Sequence, residues 1–361
     1  MCAREPFSMS RHLRTIAIVG LTGGLLAFFL RAVDPAVVWR EMRGGDPAWL
    51  GLALASTAFL HVLRAWRWQV LLLPLGLARF TNALRTTIIG FGLSALLPAR
   101  PGEVVRPYLL ARREGFSKTA TFTTIVVERL FDLVSVLLLF AVSSTFFDPG
   151  LTQAGEGILT AVTVGAAVSG VGALLAIGLA FAIAGRPVVL IRLMGPLTRV
   201  LPSRVADFAG GLVEKVAAGF SVVRQPGALI AALGLSLAHW LVLALGVWSA
   251  ALAYGLRVPF SGSFLLLVLL TVGVAVPSPG AVGGFHAALQ LGLTEFFAAP
   301  PDRAAAAAIV LHAISYGPVA LVCLALLASE GITVGALRRA ASEEETAAPM
   351  PARGRGEESA S

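Results

Sequence analysis

LLPARPGEVVRP at residues 96–107 and VPSPGAVGGFH at residues 276–286 interrupt two otherwise apolar stretches, one in each half of the chain. Proline lacks a backbone donor and glycine has poor helix propensity, so neither stretch continues as one unbroken helix. In a hydrocarbon solvent every freed N–H or C=O group is costly unless protein satisfies it or a wet cavity receives it. Broken segments at matching positions of two halves therefore point to a substrate site between them.

The rest of the composition makes that solvent a membrane. Of 361 residues, 57% are hydrophobic and 13% charged, with a mean hydropathy of +0.84. An ordinary soluble domain carries about 25% charged residues. Several runs exceed the ~18 apolar residues that mark a bilayer-crossing helix, and the 38 glycines suit close helix packing in lipid. The net charge of +8 does not imply nucleic acid. The basic residues gather in loops between apolar segments, where they set orientation and attract anionic lipid. Cys2 and Cys323 offer neither a disulfide framework nor a metal pattern. No GxxxxGK[ST], HExxH or CxxC motif is present, so an ATP-driven pump or a zinc hydrolase has no support. No metal or cofactor is expected, and the chain is not expected to be an enzyme.

The predicted fold is an all-α integral membrane bundle of about six spans plus two Pro/Gly-broken re-entrant hairpins. The spans fall near 13–30, 47–63, 119–147, 157–184, 228–253 and 303–328. Residues 1–11 form a cytoplasmic N-terminus, 12–330 the membrane domain and 331–361 a largely disordered cytoplasmic tail. His61, Arg64, Trp66, Arg67 and Trp68 read as an interfacial anchor. Segment 82–97 has arginines on both sides, which predicts entry and exit on one face. A second hairpin covers 261–297. Loop 148–156 contains Asp148 and Glu156 but no basic residue, and is placed outside the cytoplasm. Within 186–227, Val205, Phe208, Leu212, Val216, Phe220 and Val223 recur at helical spacing, as in an amphipathic helix on lipid or one packed under the bundle. An odd number of crossings precedes residue 157, so halves of about 12–147 and 157–330 would form an inverted repeat.

Candidate site residues fall in three groups. Glu128, Arg129 and Asp132 can share one helix face at spacings of three and four. Charges at membrane depth are expensive and commonly functional, although a structural salt bridge or a position near the interface accounts for them equally simply. Around the first break, Pro98, Arg100, Gly102, Glu103 and Arg106 combine exposed backbone donors with guanidinium forks that suit a phosphate. As pure orientation signals the arginines would need no site. In the second break, Pro277, Pro279, Gly280 and Gly283 shape the loop, and His286 is the titratable group beside them. His239, His312 and Tyr316 are read as interhelical hydrogen bonders, and Pro318 should kink the last span.

GFGLSALLPARPGEVVRPYLLARREGFSKTATFTTIVVERLFDLV, residues 90–134, resembles the flippase-like membrane family typified by the transmembrane domain of lysylphosphatidylglycerol synthase. The family pattern is a Leu-Pro and Gly-Glu break, an arginine soon after, and a Val-Glu-Arg-Leu-x-Asp helix. It carries over to Pro98, Gly102, Glu103, Arg106, Glu128, Arg129 and Asp132. PSPGAVGGFHAAL, residues 277–289, is similar to the family's Pro-Gly-Gly-x-Gly-x-x-Glu segment at Pro279, Gly280 and Gly283. Ala281 stands where glycine is usual, and His286 where a glutamate is expected. The likeness spans roughly residues 10–330 and implies the membrane half alone, without lysyl transfer.

It further implies binding or flipping of an anionic phospholipid or polyprenyl-phosphate lipid in an inner (plasma) membrane, with both termini cytoplasmic. Membrane lipids are thus the expected partners, with room for a membrane protein partner or a homo-oligomer. The rival class is a membrane transferase on a lipid carrier, using Glu128 or Asp132 as base. A non-transporting partner subunit is the third.

Overall fold

A computed structural model of the protein describes residues 34–97, 100–146, 225–275 and 278–331, with isolated helical positions at 24 and between 157 and 178. Every regular element among these residues is helical. The expected spans 13–30 and 157–184, the segment 186–227 and the tail lie wholly or mostly outside the described residues, as do Pro98 and Pro277.

Helix α1, Pro35–Arg43, and helix α2, Pro47–Leu72, start the same way. Asp34 Oδ1 accepts from the Ala36 N–H and Asp46 Oδ1 from the Ala48 N–H, each at 2.8 Å. Proline occupies the first helical position in both, where no N–H is needed. Helix α3, Phe80–Leu96, and helix α4, Gly102–Glu114, form a hairpin across the first break. Gly115, in the left-handed region at φ 71, stops α4, and α5 runs over Lys118–Phe146. After a gap come α6, Pro226–Ala253, and α7, Gly262–Ala275. A 3₁₀ turn at Pro279–Ala281 leads into α8, Gly284–Phe297, and α9 covers Pro301–Ser329.

The lengths repeat. Helices α2 to α5 have 26, 17, 13 and 29 residues, and α6 to α9 have 28, 14, 14 and 29. Packing repeats with them: α2 lies along α6, α3 against α9 and α7 against α5, so exchanging the two quartets returns the same set of neighbours. The Asp46 N–H donates to the Ala253 carbonyl at 2.9 Å, so the start of α2 meets the end of α6 and the two run antiparallel.

Both hairpins close on a glycine pair. A Cβ on Gly102 would collide with the Gly90 carbonyl, and one on Gly284 with the Gly273 carbonyl. These contacts bring backbone against backbone, which no side chain allows.

Helices α2, α6 and α9 are long and apolar enough to cross a membrane. This is a helical membrane protein. One local expectation fails: α2 does not stop near residue 63 but continues to Leu72 and carries the basic cluster into the bundle. Residues 64, 67 and 68 share a helix face, and Arg67 and Trp68 on it are 1% and 0% exposed. Trp66, pointing elsewhere, is 54% exposed. The cluster is therefore no interfacial anchor, because most of it faces protein.

Candidate functional site: a buried arginine–carboxylate cluster on a central cavity

Four helices supply the charged cluster. Arg64 and Arg67 come from α2, Arg106 from α4, and Glu128, Arg129 and Asp132 from α5, while α6 adds Ser236 and Trp240. Glu128 Oε1 accepts from Arg106 at 3.0 Å and forms ion pairs with Arg67 at 3.0 Å and Arg129 at 3.5 Å. Asp132 pairs with Arg67 at 2.5 Å and Arg129 at 3.3 Å, and its Oδ1 accepts from the Trp240 indole at 3.2 Å. Arg67 also donates to Ser236 Oγ at 3.1 Å. Arg67, Arg106, Glu128 and Asp132 are all buried. Unpaired charges in such a place would be prohibitive, so the network holds four helices in register.

The network is incompletely satisfied. Arg106 Nε and Nη2, Arg67 Nε and Glu128 Oε2 are buried without a hydrogen-bond partner among the described residues. Arg106 lies over the Trp68 ring at 3.9 Å, and Trp68 is itself fixed by donating to Thr124 Oγ1 at 3.0 Å. Arg64 lies over Phe91 at 3.9 Å and makes no ion pair among the described residues. Aromatic faces thus hold two guanidiniums whose donors remain available.

Beside the cluster is a cavity of about 460 Å³. Arg64, Arg100, Glu103, Arg106, Arg129 and Asp132 line one part. Leu243, Val247, Leu267, Leu270, Val274 and Phe285 line another. A wall that combines guanidiniums with aliphatic side chains suits an amphiphile.

The two breaks meet here. The Arg100 guanidinium, from the first, donates to the carbonyl of Val274 at the end of α7, a group the helix leaves without an internal partner. Gly280, from the second, lies against the Ala95 carbonyl near the end of α3. The second break is pinned by imidazoles. His312 Nε2 bonds the Gly280 carbonyl at 2.7 Å, and His286 Nδ1 accepts from the Gly283 N–H at 3.3 Å. Their rings lie 4.5 Å apart, with Tyr316 stacked on His312 at 4.6 Å.

Of the residues singled out by sequence, Arg100, Gly102, Glu103, Arg106, Arg129 and Asp132 lie on the cavity wall, with Glu128 buried behind them. Pro279, Gly280, Gly283 and His286 shape the second break, and Ala281 and Phe285 supply its contribution to the wall. His312 bonds between elements as expected, whereas His239 Nδ1 has no partner among the described residues. Sequence reasoning missed the roles of Arg64, Arg67, Trp68 and Trp240. The three-residue spacing of Arg64 and Arg67, and the fit of residue 68 to the same face, was the available signal.

Residues 15–323 match the family described as the lysylphosphatidylglycerol synthase TM region. The chain belongs to that family. Within it, the chain is 25% identical over 331 residues to Glycosyltransferase AglD of Haloferax volcanii, a match that takes in 85% of this chain and 53% of that protein. It is 30% identical over 98 residues to UPF0104 membrane protein MJ1595 of Methanocaldococcus jannaschii, covering 26% of this chain and 29% of that one. The chain thus spans about half the length of the archaeal glycosyltransferase it resembles. That name overturns the expectation of a non-enzyme, which rested on missing motifs for ATP and zinc chemistry. Those motifs say nothing about glycosyl transfer.

Proposed function

We propose that this member of the lysylphosphatidylglycerol synthase TM-region family binds a phosphate-bearing membrane lipid in the central cavity and moves it across the bilayer. The observation that carries this reading is the cavity's composition, stacked guanidiniums with unpaired donors together with aliphatic side chains on one wall. Arginine forks match phosphate oxygens, and the apolar wall would receive the chain. The repeated helix quartets and the antiparallel α2 and α6 support an inverted repeat, with α3–α4 and α7–α8 as re-entrant hairpins. Alternating exposure of the cavity would then follow from rocking one quartet against the other, in a plasma membrane with the basic loops on the cytoplasmic side.

In vesicles carrying a fluorescent anionic lipid in one leaflet, the protein should make the probe accessible from the other. Arg106→Ala should slow this by about tenfold, the effect of one lost charge-assisted phosphate contact. Exchange no faster than in protein-free vesicles, across phospholipid and isoprenoid phosphate probes, would sink transport.

A second reading is favoured by the glycosyltransferase relative, which matches 85% of the chain. The cavity would present a lipid carrier for group transfer. Recovering lipid of increased mass after supplying an activated sugar donor would assign it.

A further inference from the structure

The charges around the cavity do not balance. Arg64, Arg67, Arg106 and Arg129 form one group, and among the described residues Glu128 and Asp132 alone oppose them. Arg100 and Glu103, on the same wall, cancel each other in net charge. Two guanidiniums are therefore in excess beside a largely apolar wall; Arg129 is 45% exposed, Arg106 is buried, and the excess favours an opposite charge from a ligand. Arg64 and Arg106 both border the cavity. Arg64 lies 3.9 Å and Arg106 5.7 Å from the centroid of the same Phe91 ring, so both guanidiniums border one small region. Arg106 Nη2, buried on a side chain only 3% exposed, has no partner.

We infer that the headgroup held here is a phosphomonoester, a dianion, and not a phosphodiester or a zwitterionic phosphate. This rests on the lipid-phosphate reading above and narrows it. A phosphomonoester has a second pKa of about 6 and carries close to two negative charges at neutral pH. A phosphodiester brings one, which would leave a guanidinium uncompensated. A choline or ethanolamine headgroup brings no net charge and adds a cation to a site already in cationic excess.

The test is equilibrium binding of radiolabelled lipids to the full chain in mixed micelles, comparing phosphatidic acid with phosphatidylglycerol of the same acyl chains. At about pH 8 phosphatidic acid should bind roughly tenfold more tightly, and the ratio should fall towards one near pH 5 as the monoester takes up its proton. His61, His239, Tyr316, Glu103, Glu128 and Asp132 face the same region from α2, α6, α9, α4 and α5. Protonation of any of them at low pH makes the site more positive and favours a dianion over a monoanion, so it works against the expected fall in the ratio and cannot imitate it. Arg64→Gln removes a guanidinium that has no ion-pair partner to strand, and should collapse the pH 8 ratio to within about threefold.

Equal affinities at pH 8, or a ratio unmoved by Arg64→Gln, would overturn the inference while leaving lipid-phosphate binding in place. Binding of neither lipid would overturn both. Inorganic phosphate serves as the third probe. Its failure to displace phosphatidic acid at millimolar concentration supports a lipid, and equal affinity would show a site for free phosphate, against the lipid assignment.

Discussion

The first and second breaks share a backbone device and differ in chemistry. Each joins two short helices packed through a glycine pair, Gly90 with Gly102 and Gly273 with Gly284, and each contains a non-glycine residue in the left-handed region, Arg100 at φ 50 and Ala281 at φ 57. Yet the first break is followed by Arg106, which is tied into the ion-pair network, whereas the second is held by imidazole-to-backbone bonds. Similar folding of the two halves therefore does not require similar roles. One hairpin brings charge to the cavity, and the other supplies a shaped wall.

The largest expected effect tests whether charge is confined to the first half. Arg67→Met removes the residue that pairs with both Glu128 and Asp132, and should cost about 3–5 kcal/mol by stranding buried carboxylates. Apparent melting in detergent, followed by size-exclusion chromatography, reads this directly. Adding Asp132→Asn should recover part of the loss. A melting temperature unchanged by Arg67→Met would mean that the network does not hold α2, α4 and α5 together.

Next come the glycine pairs, which probe what the halves have in common. Gly102→Ala and Gly284→Ala each push a methyl into a carbonyl group, so each should lower stability by about 3 kcal/mol or more. The two should be similar. A variant that leaves one hairpin intact and destroys the other would show that the likeness of the quartets is one of length and not of packing.

How much of this was legible follows from what each feature costs. The breaks were visible because proline and glycine disrupt a helix wherever they fall, and Glu128 and Asp132 were visible because carboxylates are rare at membrane depth. Arg64, Arg67 and Trp68 were not, since arginine beside tryptophan has the same composition in an interfacial anchor as in a buried cation–π stack. Only the continuation of α2 to Leu72 separates the two. The glycine pairs were beyond reach for another reason: glycine suits lipid packing anywhere, and which ones meet is a tertiary fact. His286 was singled out as a titratable group, but its place three residues after Gly283 makes it a cap on α8.

A smaller effect isolates the second break. His312→Phe keeps the aromatic stack with Tyr316 but removes the bond to the Gly280 carbonyl, which should cost about 1–3 kcal/mol for an unsatisfied buried acceptor. The preference for phosphatidic acid over phosphatidylglycerol should be unaffected, because no guanidinium changes. A collapsed preference would give the second break a part in reading charge and blur the contrast with the first.

The smallest effect has opposite signs in the two breaks. A left-handed backbone costs a non-glycine residue about 1–2 kcal/mol, which glycine does not incur. Glycine gives back about 0.5–1 kcal/mol through its freer unfolded chain. Ala281 uses its side chain only for packing, being 5% exposed among hydrophobic neighbours, so Ala281→Gly should leave a net gain of up to about 1 kcal/mol. Arg100→Gly relieves the same strain but loses the donor to the Val274 carbonyl, the contact that ties the first break to the end of α7. It should therefore be destabilising, by about 1 kcal/mol or more. Melting of the two variants side by side decides the matter. A gain in both would mean that the Arg100 contact contributes nothing beyond strain, and a loss in both would mean that the methyl of Ala281 packs better than its backbone suffers.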